Sequence, residues 1–116
     1  MQQNWIDYGK QYIANTYNRF PIVATKGERC WIWDMDGRRY LDFLSGISVC
    51  NLGHAHKNAI ESLTVQAGKL FHISNLFYIE TQIKAAKLLV ENSFGDKVFF
   101  CNSGAEANEA AIKLAR

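Results

Sequence analysis

The apolar positions of this chain change period along its length. Trp5, Ile6, Tyr8, Tyr12 and Ile13 fall on the loose apolar face of a short helix expected over Trp5–Thr16. Pro21 ends any helix and starts an extended segment. Ile22–Lys26, Cys30–Asp34 and Arg39–Phe43 then read as three short strands, with Gly27-Glu28 and Asp36-Gly37 as their turns. Asp-Gly is a strong two-residue hairpin signal, so the expected arrangement is an antiparallel meander. Leu44–His56 is irregular and punctuated by Gly46 and Gly53. Beyond it the period becomes helical. Ala59, Ile60, Leu63, Ala67 and Leu70 mark a helix over Lys57–Leu70, and Ile79, Ile83, Ala86, Leu89 and Val90 mark another over Tyr78–Asn92. Phe71–Phe77 is expected as a loop or extended stretch between them. Ser93–Asp96 turns the chain into Val98–Cys101, an apolar, β-prone run expected to be a buried strand. From Ala105 onward, Ala, Glu, Leu and Lys predict a last helix.

The change of pattern near residue 50 divides the chain. Residues 1–50 are expected to form a small lobe of one helix and a three-stranded meander. Residues 51–116 are expected to begin an α/β domain. The helical pattern still runs at Arg116 with no glycine C-cap, so the chain is expected to be an N-terminal piece of a longer protein, truncated within that domain.

Composition narrows the class without choosing a function. At 116 residues the length is that of one domain. Hydrophobic content of 48% and charged content of 21% are ordinary for a soluble globular protein. A net charge of +2 gives no electrostatic footprint for nucleic acid. No apolar run approaches the length of a membrane span, and the N-terminus does not read as a signal peptide. Cys30, Cys50 and Cys101 are odd in number and widely spaced. They are expected as free, mostly buried thiols in a reducing cytosol, not as a disulfide or zinc framework.

The candidate chemistry lies where the last strand feeds the last helix. Asn102-Ser103-Gly104 is a tight turn, and the helix after it starts with free backbone N–H groups and the positive end of the helix dipole. Such a start suits a phosphate. The turn has neither the P-loop pattern nor GxGxxG. From the residues alone, a phosphate site and a plain helix cap by Asn102 or Ser103 both stay open.

The string Phe100-Cys-Asn-Ser-Gly-Ala-Glu-Ala-Asn-Glu-Ala-Ala-Ile-Lys-Leu-Ala-Arg116 resembles the cofactor-phosphate segment of class III aminotransferases. These pyridoxal-phosphate enzymes include acetylornithine, ornithine and 4-aminobutyrate aminotransferases. The resemblance runs from about Asn15 to Arg116. It is also carried, in family order, by Asn15-Thr-Tyr-Asn-Arg-Phe-Pro-Ile-Val, Trp33-Asp-Met-Asp-Gly, Tyr40-Leu-Asp-Phe, Gly46-Ile, Leu52-Gly-His-Ala-His and His72-Ile-Ser-Asn-Leu-Phe. Within the family the likeness is closest to the acetylornithine branch.

The resemblance implies a fold type I α/β transferase that binds pyridoxal 5'-phosphate and moves an amino group between N2-acetylornithine and 2-oxoglutarate. It implies a cytoplasmic homodimer of arginine biosynthesis, with small-molecule partners and neither nucleic acid nor membrane. Gly104 and Ala105 would bind the cofactor phosphate, with Ser103 adding a hydroxyl or only a cap. Tyr17 would contact the α-amino acid end of the substrate. Ile47 stands where ornithine δ-aminotransferases typically carry Tyr, and an apolar side chain cannot hydrogen-bond a charged α-amino group. Ser74 and Asn75 would belong to a loop near a dimer interface. The Schiff-base lysine of the family would lie beyond Arg116, so no catalytic residue is expected in this chain, and residues 1–116 alone are expected to be inactive. Other donors (4-aminobutyrate, succinylornithine, ornithine) and a non-catalytic phosphate-binding or dimerisation fragment are the alternatives. His54, His56 and His72 lack a Cys or carboxylate at ligand spacing and are expected to serve the loop, not a metal. Glu106 and Glu109 favour the helix dipole. Trp5, Trp31 and Trp33 are expected as core or interface aromatics.

Overall fold

The computed structural model describes residues 1–116, which group by contact into two units, Met1–Phe71 and His72–Arg116. The first unit opens with helix α1 (Gln2–Tyr12). It stops at Ile13, which is extended, rather than at the expected Thr16. Asn15 and Thr16 offer their own backbone competing hydrogen bonds, so they favour leaving the helix. The three expected strands follow as β1 (Ala24–Glu28), β2 (Trp31–Asp34) and β3 (Arg39–Leu41). They form one antiparallel sheet in the order β1-β2-β3, with Glu28 opposite Trp31 and Ile32 opposite Tyr40.

Both turns differ in register from the expectation. Gly27 and Glu28 are strand residues, and the chain reverses at Arg29-Cys30, with Arg29 left-handed at φ 53°. The second hairpin uses three residues rather than two. Gly37 N–H donates to the Asp34 carbonyl at 3.0 Å, Gly37 takes φ 81°, and Asp34 N–H then pairs with the Arg38 carbonyl. That is a β-turn followed by a left-handed glycine, the usual form of a three-residue hairpin loop. Asp34 organises it. Its Oδ1 accepts from the N–H groups of Asp36 (3.0 Å) and Arg38 (2.8 Å), and its Oδ2 accepts from the Tyr40 hydroxyl (2.7 Å).

A one-turn element, α2 (Ser45–Ser48), and helix α3 (Lys57–Ala67) complete the first unit, α3 stopping before Gly68. The second unit holds α4 (Glu80–Glu91) and α5 (Gly104–Leu114). Val98–Cys101 joins no sheet, contrary to the expected buried strand, and Phe99 is 70% exposed. A strand needs a neighbour for its ladder, and the second unit contains no other strand.

No apolar side chain is buried; Asp34 alone is, at 2% exposure. The expected core aromatics are therefore not in a core. Trp5 is exposed, while Trp31 and Trp33 are half-buried beneath the Arg39 guanidinium (4.2 Å) and the Lys26 ammonium (4.6 Å). Register puts these four side chains on one face of the sheet. The cysteines are free as expected but not buried, Cys30 being exposed and Cys50 and Cys101 half-buried. No helix is long and apolar enough to cross a membrane.

Candidate cofactor and substrate site

Ser103 is the N-cap of α5. Its backbone is extended (φ −153°, ψ 159°), and its Oγ accepts from the Glu106 N–H at 3.2 Å. Glu106 reaches back in turn. Its Oε2 accepts from the Asn102 N–H at 2.9 Å and from Asn102 Nδ2 at 3.4 Å. The Ser-x-x-Glu spacing of Ser103 and Glu106 is the sequence signal of such a reciprocal cap, here closed one residue further back than usual. Glu106 thus does more than complement the helix dipole.

The cap leaves the groups that matter for an anion free. Gly104 and Ala105 are the first residues of the helix, so no carbonyl one turn earlier receives their N–H groups. A Cβ built on Gly104 meets nothing within 4 Å, so packing within the chain does not require glycine there. The Ser103 hydroxyl accepts the capping bond and keeps its own proton to donate. Two amides, a hydroxyl and the helix dipole therefore converge at an open helix start, and this donor set fits a phosphate.

Tyr17 and Ile47 both lie in the first unit. Tyr17 is exposed and lines an open cleft of about 770 Å³ between α1 and the segment before β1, with Trp5, Arg19 and Phe20. The Arg19 guanidinium stands 5.9 Å from the Tyr17 ring centre. Ile47 is not part of that cleft. It sits in α2, where Ser45, Gly46, Ile47 and Ser48 are all left-handed, at φ 48°, 62°, 57° and 65°. For an L-residue this conformation costs roughly 1–2 kcal/mol, and a β-branched side chain adopts it rarely. Ile47 nevertheless points its side chain outward at 90% exposure.

The turn is held from both ends by residues that sequence reasoning passed over or gave only a loop role. Asp42 Oδ1 accepts from the N–H groups of Leu44 (2.9 Å) and Ser45 (3.0 Å), and Asp42 Oδ2 lies 2.6 Å from His54 Nε2. The contact with His54 holds the Asp42 carboxyl below its usual range, aided by the Ser45 N–H against the opposing effect of burial. The ionised carboxylate only accepts, so His54 carries its proton on Nε2. A His twelve residues after an Asp, with glycines between, was the signal available in the sequence.

Ser74 closes a local turn. Its Oγ accepts from the Leu76 N–H (3.1 Å) and its carbonyl from the Phe77 N–H (3.1 Å), with Asn75 at the tip. Ser74, Asn75 and the Ser103–Ala105 start belong to the second unit. No three His, Cys, Asp or Glu side chains converge where a metal could sit.

The family model for aminotransferase class-III matches residues 12–116, and the chain belongs to that family of pyridoxal-phosphate-dependent enzymes. It is 56% identical over 111 residues to an acetylornithine aminotransferase of Caldanaerobacter subterraneus, covering 96% of this chain and 28% of that protein. Among solved structures it resembles an acetylornithine aminotransferase from Elizabethkingia anophelis, with TM-score 0.93 and 38% identity over 98% of this chain and 30% of that one. It also resembles the ornithine δ-aminotransferase of Plasmodium falciparum, with TM-score 0.92 and 34% identity over 97% of this chain and 30% of that one. The chain thus spans under a third of the length of these relatives. Its three-stranded antiparallel sheet and helices agree with their N-terminal region.

Proposed function

We propose that this chain is the N-terminal part of an aminotransferase that moves an amino group between N2-acetylornithine and 2-oxoglutarate in arginine biosynthesis. The enzyme would be a cytoplasmic homodimer using pyridoxal 5'-phosphate. Residues 1–50 would be its small lobe, and residues 51–116 the beginning of the large α/β domain of fold type I. The observation that carries the reading is the open, capped helix start at Ser103–Ala105, in a chain 56% identical to an acetylornithine aminotransferase.

The cofactor, when bound, supplies the electron sink for the transfer. This chain's part is binding and selection. The amides of Gly104 and Ala105 and the hydroxyl of Ser103 hold the phosphate. Tyr17 meets the α-amino acid end of the donor from its cleft. Ile47 offers no hydrogen bond to a charged amine and so disfavours free ornithine. Ser74 and Asn75 form a loop beside the dimer partner. The lysine that carries the cofactor belongs to the chain beyond Arg116.

The likeness to an ornithine δ-aminotransferase at TM-score 0.92 favours a second reading, with ornithine as donor. Glutamate formation by the full-length protein, with N2-acetylornithine, ornithine and 4-aminobutyrate compared, separates them. The highest kcat/KM is expected for N2-acetylornithine. A higher value for ornithine selects the second reading, and no transamination with any donor overturns both.

A further inference from the structure

The loop from Asp42 to His54 carries Ile47 at its outer turn, and the two residues that bound it touch each other. The Asp42 carboxylate receives His54 Nε2 at 2.6 Å with one oxygen and the amides entering the left-handed turn with the other. Asp42 and His54 are themselves fixed to the meander. Asp42 N–H donates to the Cys30 carbonyl (2.8 Å), and His54 exchanges both backbone bonds with Arg29, at 2.7 and 2.8 Å. The imidazole rests on the bare Cα of Gly27, where an added Cβ would stand 2.7 Å from His54 Cγ. Side-chain exposure is only 10% at Asp42 and 23% at His54, against 90% for Ile47 as a whole. The sheet therefore dictates the position of a strained, outward-facing apolar side chain through one carboxylate–imidazole contact.

We propose that Asp42 and His54 are positioning residues for donor selection, stapling the loop so that Ile47 is presented to the amino donor in its left-handed conformation. The proposal rests on the reading of Ile47 as a donor contact. Without the staple, the turn relaxes out of the left-handed region, Ile47 leaves its place, and discrimination between an acylated and a free diamino acid falls.

The test uses the full-length protein. His54→Phe keeps a ring but removes the donor to Asp42; His54→Gln keeps a donor. Two quantities are read: the ratio of kcat/KM for N2-acetylornithine over ornithine, and hydrogen exchange of the amides of residues 44–50. His54→Phe is expected to lower the ratio about tenfold and to speed exchange about tenfold, with His54→Gln within threefold of wild type in both. If His54→Phe does not fold, His54→Leu, smaller and equally without a donor to Asp42, takes its place. A lowered melting temperature with an unchanged donor ratio means a merely structural contact and overturns the proposal, as does an effect that His54→Gln fails to rescue. If the wild type does not transaminate N2-acetylornithine, the donor reading falls by itself. The exchange data then still decide the staple, and unchanged protection in His54→Phe overturns it.

Discussion

Gly104→Pro isolates the phosphate function of the last helix from its fold. Proline is tolerated at the first helical position because the missing N–H has no partner within the helix. It also requires an extended residue before it, and Ser103 already has φ −153° and ψ 159°. A Cβ added at this position meets nothing within 4 Å beyond its chain neighbours. The capping atoms belong to Ser103, Asn102 and Glu106 and are untouched. Rigidifying the unfolded chain at a compatible site adds about 0.4–1 kcal/mol of stability. What disappears is one amide donor to the phosphate. A hydrogen bond to a charged group contributes about 1.5–3 kcal/mol, which corresponds to a loss of about 10- to 150-fold in cofactor affinity. The assay titrates the apo form of the full-length protein with pyridoxal 5'-phosphate, follows the visible absorbance, and records the melting temperature of the apo form alongside. A Kd within twofold of wild type, with the melting temperature kept, would show that the Gly104 amide does not face the phosphate.

The remaining predictions concern the meander and the apolar faces. Gly27→Ala places a Cβ against His54 and should destabilise the full-length protein by about 1–3 kcal/mol, as overpacking does; an unchanged denaturant midpoint refutes the close packing. Asp42 titrates below the ordinary carboxylate range when folded, chiefly through its contact with His54. On acidification the unfolded chain therefore takes up its proton first, and stability present at neutral pH is lost as the pH falls through the lowered pKa. Asp42→Asn should flatten the acid side of the stability–pH curve, and equal slopes in variant and wild type would contradict this. Residues 1–116 alone bury no apolar side chain, with Leu63 of α3, Leu88 of α4 and Ile112 of α5 each more than half exposed. A sharp, cooperative melt of this piece as a soluble monomer would contradict the expectation that it needs further chain to fold.

Local chemistry made much of this molecule readable from its residues. Pro21, the Asp36-Gly37 turn signal and the short β-prone runs mark the meander, and Ser103 with Glu106 three residues on marks the start of α5, because turns and caps depend on neighbours in sequence. The helical period places α3 and α4 to within a few residues for the same reason. Val98–Cys101 pairs with no strand within residues 1–116, since pairing is a property of what lies alongside and not of the run itself. The cysteines are likewise not buried and Trp5 is exposed within residues 1–116: hydrophobicity says that a side chain would be stabilised by leaving water, not that these residues supply the surface to cover it. Asp42 and His54 are separated by a dozen residues, and only the isolated bridge between Arg29, at the first hairpin turn, and His54 makes them neighbours. Their contact, and the left-handed turn it secures around Ile47, come from that folding-back of the chain, because side chains far apart in sequence meet only where backbone pairing carries them.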